Sequence, residues 1–361
     1  MGLRKVYFFS IAFANISTDY RTVANKQIPT SSTFIDIVVI TENRSELLKS
    51  TLLSLEHAAF GRDIRLLVGF NGSTDQFVSE AGNMIDSIQF KSGILMTRFE
   101  KKWPGSARNH LIELSDAEWI FFCDDDVLVP SDIFENFTNL QKQFQELKAF
   151  GGPNLTPPGS SVIERAQGYA LGLRLVAGPM SHRYQQSKYP DTRLVYNAFG
   201  LTLCNLFWKK TSMTYFPEQF ICGEELHLLK MTPGPYIYST LLSVFHYRRT
   251  SWSAFFQQTV KYGIGRSQQS PVAIVLAWLL LVGFSTALIY FPFIVGMGVV
   301  SFSFLLGVEI LKSIKLKNKE YYLMGKIIRA AITVWSGYGL GILFGFLKNR
   351  QIEKSLVYER T

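Results

Sequence analysis

Trp119-Ile120-Phe121-Phe122-Cys123-Asp124-Asp125-Asp126-Val127-Leu128-Val129-Pro130 is the stretch on which the reading of this chain turns. It opens as a buried apolar strand, runs into three adjacent carboxylates and is closed by a proline. Like charges crowded at a strand end repel one another, so a fold that keeps them there needs a counter-charge. A divalent cation carrying a diphosphate supplies one, because hard cations take carboxylate and phosphate oxygens into one shell. In an extended chain Asp124 and Asp126 point to one face and Asp125 to the other. Taken alone, the run is equally an acidic strand-to-helix turn in which Asp125 or Asp126 caps a helix.

Upstream, Thr33 to Thr41 (TFIDIVVIT) is a β-branched run of strand length ended by Asn43-Arg44. Leu47, Leu48, Leu52, Leu53 and Leu55 then recur at helical spacing. Ile64 to Phe70 is a second strand, and Asn71-Gly72-Ser73-Thr74-Asp75 after it is turn chemistry. That turn either receives a nucleotide or simply leads into a helix. Ile94 to Thr97 makes a third short strand before Lys101-Lys102-Trp103-Pro104-Gly105-Ser106-Ala107-Arg108-Asn109. A glycine turn opening a helix there offers free amides to a phosphate, and Arg108 adds a fixed charge or pairs with Glu113 or Asp116 at the surface. Strand and helix alternating in this rhythm predict a doubly wound α/β sheet. In such a sheet the ligand lies beyond the carboxyl ends of the strands, where the Asn71 turn and Asp124 to Asp126 both fall.

Downstream, Gly151 to Gly159 reads as a loop, and Asn197 to Trp208 as an apolar stretch leading to Lys209-Lys210. Cys222-Gly223-Glu224-Glu225-Leu226 sets two acids at a helix start, where the dipole favours them whether or not they have chemistry to do. His246, in Val244-Phe245-His246-Tyr247, is a structural histidine or a ligand on even terms.

Taken in order, ITENRSELL, NGSTD, GSARN and FFCDDDVLVP resemble a family 2 glycosyltransferase of the GT-A type over roughly residues 33 to 265. The resemblance implies an Asp-x-Asp motif, with Asp124 towards the nucleoside and Asp126 on Mg2+ or Mn2+. Asp125 lies between them, and His246 sits where relatives often place a third metal or diphosphate contact. Thr41, Asn43, Asn71, Asp75, Arg108, Asp125 and Arg266 join the donor-binding set. Relatives often carry Asp-Asp before the Gly-Ser where this chain has Phe70-Asn71, so Asn71 is expected to meet the base through its amide. The family's Glu-Asp pair corresponds to Glu224-Glu225, which makes Glu225 the first choice of general base and Glu224 the second. The Gln-x-x-Arg-Trp of processive synthases is not matched here, which favours transfer of single sugars. The alternative that Asn71 and Glu224-Glu225 permit is a non-catalytic scaffold for glycan export or assembly.

Charge and hydropathy place the rest. The chain has 361 residues, a formal charge of +9 and 47% hydrophobic residues. Residues 312 to 361 carry ten Lys/Arg against three Asp/Glu, so the basicity lies at the C-terminal side and argues for a membrane surface rather than nucleic acid. Three scattered cysteines favour neither a disulfide framework nor a zinc site. No charge occurs from Ser267 to Val308, enough for two spans divided at Pro292. The spans have hardly any polar residues with which to line a channel.

The expected organisation is an N-terminal extension (1–32), a catalytic domain (33–250) and an amphipathic interfacial helix (251–270). A transmembrane hairpin (271–311), a basic loop (312–329), a third membrane segment (330–347) and a basic tail (348–361) complete it. Gly337, Gly341 and Gly345 form a close-packing face for another helix, which leaves room for oligomers. By the positive-inside rule the catalytic domain faces the cytoplasm at an inner membrane, and a lipid-linked acceptor follows from that position.

Overall fold

The computed structural model describes residues 20–23, 34–185, 187, 191–196, 200–232, 234–316 and 320–358. Its strands and helices begin with β1 (Tyr20–Val23), β2 (Ile35–Thr41), α1 (Ser45–Ala59), β3 (Ile64–Asn71), α2 (Asp75–Ile85), β4 (Ile94–Phe99) and α3 (Pro104–Glu113). β5 (Trp119–Phe122), β6 (Val127–Leu128), α4 (Ile133–Gln143), β7 (Ala149–Gly151), β8 (Asn154–Leu155), α5 (Val162–Leu171) and α6 (Arg174–Ala177) follow. Then come β9 (Thr192–Val195), β10 (Leu206–Lys209), α7 (Glu224–Met231), β11 (Tyr236–Ser239) and β12 (Val244–His246). The last are α8 (Trp252–Gln269), α9 (Pro271–Tyr290), α10 (Pro292–Leu316) and α11 (Met324–Tyr358). The chain divides into two compact units: residues 1–157, 186–219 and 224–247, and residues 158–185, 220–223 and 248–361.

In the first unit the described strands form a sheet in the order β1-β4-β3-β2-β5-β10-β7-β11-β9. β4, β3, β2 and β5 run parallel, as βαβ units require. Alternation along each strand sends side chains to two separate cores. Ile37 and Val39 of β2 with Trp119 and Phe121 of β5 meet α1, α2 and α4 on one face. Val38, Ile120 and Phe122 meet Leu111 of α3 and Leu228 of α7 on the other. Phe121 stacks on Phe207 with centroids 4.2 Å apart, and Phe207 on Phe137 at 4.0 Å. Each such ring buried is worth about 1.5–3 kcal/mol.

The sheet differs from the expectation in three places. β10, anticipated only as an apolar stretch, lies antiparallel between β5 and β7, with Leu206 opposite Phe122 and Lys209 opposite Trp119. β1 falls within the expected N-terminal extension and adds an antiparallel edge strand to β4, with Tyr20 opposite Thr97. The rest of that extension lies outside the described residues. The strand expected to end at the carboxylates does so, but a second, unexpected strand in another sheet follows them. The large ladder ends at Phe122, and Val127 starts a small sheet in the order β6-β12-β8, with His246 opposite Val127. The three aspartates are the link between the sheets, a position where charge escapes the apolar ladder.

The second unit takes in residues 158–185, which fall within the span 33–250 expected for the catalytic domain. Ala166, Tyr169 and Ala170 of α5 pack with Ile310 and Ile314 of α10 and Ile327 and Ala330 of α11. Arg165 and Tyr169 hold the Glu320 carboxylate, with the tyrosine hydroxyl at 2.9 Å. The glycine face of α11 meets α8: a Cβ at Gly263 would strike the carbonyl of Tyr338, and one at Gly341 the carbonyl of Val260. Close backbone approach of this kind is what small residues at four-residue spacing allow. One side of α8, including Phe255, Thr259 and Ile264, is therefore buried in protein rather than offered to lipid as expected for an interfacial helix. Among the described residues, three helices are long and apolar enough to cross a membrane, over Val272–Tyr290, Pro292–Lys315 and Tyr321–Gly345. The third of these starts well before residue 330, where the sequence pattern placed it.

Candidate active site

The link between the sheets gathers the acids, and each of its three carboxylates has a different set of partners. Asp125 turns towards the end of β2, where Thr41 donates its hydroxyl at 2.7 Å and Arg44 donates at 3.0 Å. The same Arg44 nitrogen reaches Asp126 at 3.2 Å, and Nε2 of His246 lies 2.9 Å from the other oxygen of Asp126. Asp124 receives Arg108 at 2.9 Å on one oxygen and the Cys204 thiol at 3.2 Å on the other. Arg108 also binds Glu224 at the start of α7. A chain of polar contacts thus runs from His246 through Asp126, Arg44 and Asp125 on one side, and from Asp124 through Arg108 to Glu224 on the other.

Local structure explains how so many acids are tolerated in one place. The Val127 amide is tied to the Thr51 hydroxyl of α1 at 3.0 Å, and the Tyr247 amide to the Asp126 carbonyl at 3.0 Å, so the turn cannot swing open freely. Burial pushes the Asp125 carboxyl up to about 6 against the pull of Arg44. Burial likewise pushes Glu224 up to about 7 against the pull of Arg108. The Cys204 thiol is driven well up by burial and then by the neighbouring Asp124 and Asp126, so it stands as a protonated donor to Asp124.

The sequence-selected residues do not all converge. Thr41, Asp124, Asp125, Asp126, Arg108, Glu224 and His246 share the cluster. Asn71, expected to meet the base, has its side-chain amide engaged with the backbone of Lys102. It is buried, donating its amide to the Lys102 carbonyl at 3.0 Å and accepting the Lys102 amide at 2.8 Å, which uses both ends of the side chain. Asn43, at φ +52°, accepts from the Thr74 amide at 3.0 Å and so braces the turn before α2. Asp75 is exposed and paired with Arg98, whose other arm donates to the Ser73 carbonyl at 2.9 Å. Gly72 holds φ +69°, and a Cβ there would press on the Lys101 side chain at 2.8 Å.

The start of α3, expected to be open to phosphate, is covered. A Cβ at Gly105 would lie 2.5 Å from the Pro217 carbonyl, and Asn109 is clasped to Phe216 by bonds of 2.9 and 2.8 Å. Arg108 pairs with neither Glu113 nor Asp116 but lies buried between Asp124 and Glu224. Glu225 is half-buried one residue further along α7, near enough to act electrostatically on both Arg108 and Glu224. Arg266 lies on α8 in the second unit.

Two contributors escaped the sequence reading. Arg44 was seen only as the end of a strand, and Cys204 only as one scattered thiol. Their partners lie about eighty residues away in the chain, with separations of 81 and 82 for Arg44 and 80 for Cys204, so no local pattern announces them.

The donor set suits a divalent cation. Asp124, Cys204 and His246 each present one ligand atom, and these atoms lie within 4.8 Å of one another. Asp126 adjoins this group through His246. A carboxylate and an imidazole around one point fit a metal of the Mn2+ kind. The group includes Asp124, which the sequence assigned to the nucleoside.

Comparison with known proteins gives the site its class. The family model described as glycosyl transferase family 2 matches residues 36–209. No curated protein sequence matches the chain. Among solved structures, the mannosyltransferase PcManGT from Pyrobaculum calidifontis, in complex with GDP-Man and Mn2+, is 13% identical with a TM-score of 0.53. That match covers 84% of this chain and 88% of the other. S. aureus TarS 1-349 is 14% identical with a TM-score of 0.45, over 88% of this chain and 92% of that one. The family match over β2 to β10, on a mixed α/β sheet that carries its acids at the strand ends, establishes that this chain contains a family 2 glycosyltransferase domain of the GT-A type and is a glycosyltransferase.

Proposed function

We propose that the protein is an inverting, metal-dependent glycosyltransferase that moves a sugar from a nucleotide-diphospho-sugar to a membrane-held acceptor. A polyprenyl-linked saccharide or a polyprenyl phosphate, in the building of a cell-surface glycan, is the acceptor class that suits a catalytic unit tethered by apolar helices. The catalytic unit works on the cytoplasmic side of an inner membrane, in keeping with the basic residues around the helix ends. The observation that carries the reading is the acidic link itself. Asp124 keeps 29% of its side chain exposed, while Asp126 and His246 stand together beside it.

Asp124, Asp126 and His246 would hold Mg2+ or Mn2+. When bound, the cation supplies the positive charge that eases departure of a nucleoside diphosphate. Thr41 and Arg44 fix the far side of the acidic turn, and Arg108 fixes Asp124 from beneath. The acceptor oxygen forms its bond to the anomeric carbon from the face opposite the diphosphate, whose bond to that carbon breaks. The acceptor's proton passes to a carboxylate. Glu225 is that base, and Glu224 is its support. Glu224 is almost wholly buried and bonded to Arg108, whereas Glu225 on the same first turn is only half-buried, so solvent reaches it more readily.

The test is transfer from a panel of nucleotide sugars, GDP-mannose and UDP-GlcNAc included, to lipid-linked acceptors with Mn2+ present. Glu225→Gln is expected to lower the rate by about 10²–10⁴-fold with donor binding retained, and Glu224→Gln by much less. Reversal of that order would move the base to Glu224. Wild-type turnover unaffected by chelator would remove the metal from the reading.

A further inference from the structure

We propose that Cys204 is a ligand of the cation site and tunes it towards thiophilic divalent cations such as Co2+ or Zn2+ and away from Mg2+. The inference rests on the metal-dependent reading above and adds a sulfur to its ligand set.

A buried cysteine is ordinarily a small apolar side chain; Cys123 and Cys204 both border the same apolar core, and Cys123 reaches the Asp124 carbonyl at 3.5 Å. Cys204 differs in its partners. Its sulfur donates to the Asp124 carboxylate at 3.2 Å and accepts from Asn154 Nδ2 at 3.6 Å and Thr202 Oγ1 at 3.7 Å. It also lies within 4.8 Å of ligand atoms on Asp124 and His246. Two donors aimed at one sulfur do nothing for a core thiol. They are what a metal thiolate needs, since outer hydrogen bonds orient the ligand and spread its charge.

The geometry also says how a cation would enter. In the cation-free protein a proton lies between the sulfur and Asp124. A divalent cation arriving between Asp124, Cys204 and His246 replaces it: the S–H bond breaks, the sulfur–metal bond forms, and one proton leaves to solvent. Asn154 and Thr202 stay on the sulfur throughout. A sulfur in the set favours borderline and soft cations, while Mg2+, which asks for oxygen in a strict octahedron, gains nothing from it.

The test titrates the full-length, detergent-solubilised protein with CoCl2, with no nucleotide present. A near-ultraviolet sulfur-to-cobalt charge-transfer band is expected in the wild type, in Cys123→Ser and in Cys222→Ser, and is expected to vanish in Cys204→Ser. The same variant should weaken Co2+ binding by about 10–100-fold and leave Mg2+ affinity unchanged. Calorimetry of the wild type in two buffers of different ionisation heat should count one proton released per Co2+, a measurement that does not depend on any variant folding. Cobalt bound with no sulfur band and no proton release would overturn the thiol ligand and leave the metal site standing. Failure of both Co2+ and Mn2+ to bind would overturn the metal-dependent reading as well.

Discussion

Arg44 and Arg108 each join two carboxylates of the site under opposite conditions of solvent. Arg108 has 8% of its side chain exposed and sits between Asp124 and Glu224, itself 5% exposed. Arg44 has 40% exposed and lies over Asp125 and Asp126, at 7% and 4%. In one case the cation is shut in with one of its acids, Glu224, while Asp124 keeps 29% of its side chain exposed. In the other the acids are shut in and the cation is the lid. A buried charge cannot leave without stranding its partners in low dielectric, whereas an exposed guanidinium trades its ion pair for water at small cost. Arg108 is therefore a fixed part of the framework, and Arg44 is the counter-ion that another cation can replace.

Removal of each arginine should break or sharpen the contrast. Arg108→Met leaves Asp124 and Glu224 without their shared cation and is expected to cost about 3–5 kcal/mol, read by denaturant or thermal unfolding of the solubilised protein. Adding Glu224→Gln to it should recover part of the loss, because the stranded charge is then gone. Arg44→Ala is expected to cost less, about 1–3 kcal/mol, and MnCl2 should restore much of it in a thermal shift, since a divalent cation neutralises the same acids. If Mn2+ restores Arg108→Met equally well, the distinction between framework and lid fails. The smallest effect should come from an arrangement in which both partners face water. Lys101→Ala removes an exposed pair with Glu42 and should move stability by about 0–1 kcal/mol, within the error of most unfolding assays.

The same contrast of solvent runs through the whole molecule. The sheet unit hides its apolar residues on both faces, and its helices α1, α2 and α4 show polar outer sides. Helix α9 and the first part of α10 expose large apolar residues, among them Leu280, Ile289, Phe293 and Val300, which suits hydrocarbon in place of water. That difference was readable in the sequence because hydropathy over twenty residues is a local property. The parallel strands were readable for the same reason, as β-branched runs of the right length with turn chemistry after them. So was the acidic link, although its division between two sheets was not.

The sequence alone determined that charge would collect at Asp124 to Asp126, that apolar helices would follow near the C-terminus, and that the motifs in order belong to one transferase class. Each of these depends on residues close together in the chain. Only the tertiary structure decided that Asn71 would clasp Lys102, that Gly341 would meet α8 within its own chain, and that Arg44, Arg108 and Cys204 would share out the acids. Those outcomes rest on which distant strand lies alongside which. Insertion of β10 beside β5 brings Cys204 to Asp124, and pairing of β12 with β6 brings His246 to Asp126. Strand order is set by the summed packing of two cores, a quantity that no short window of residues contains.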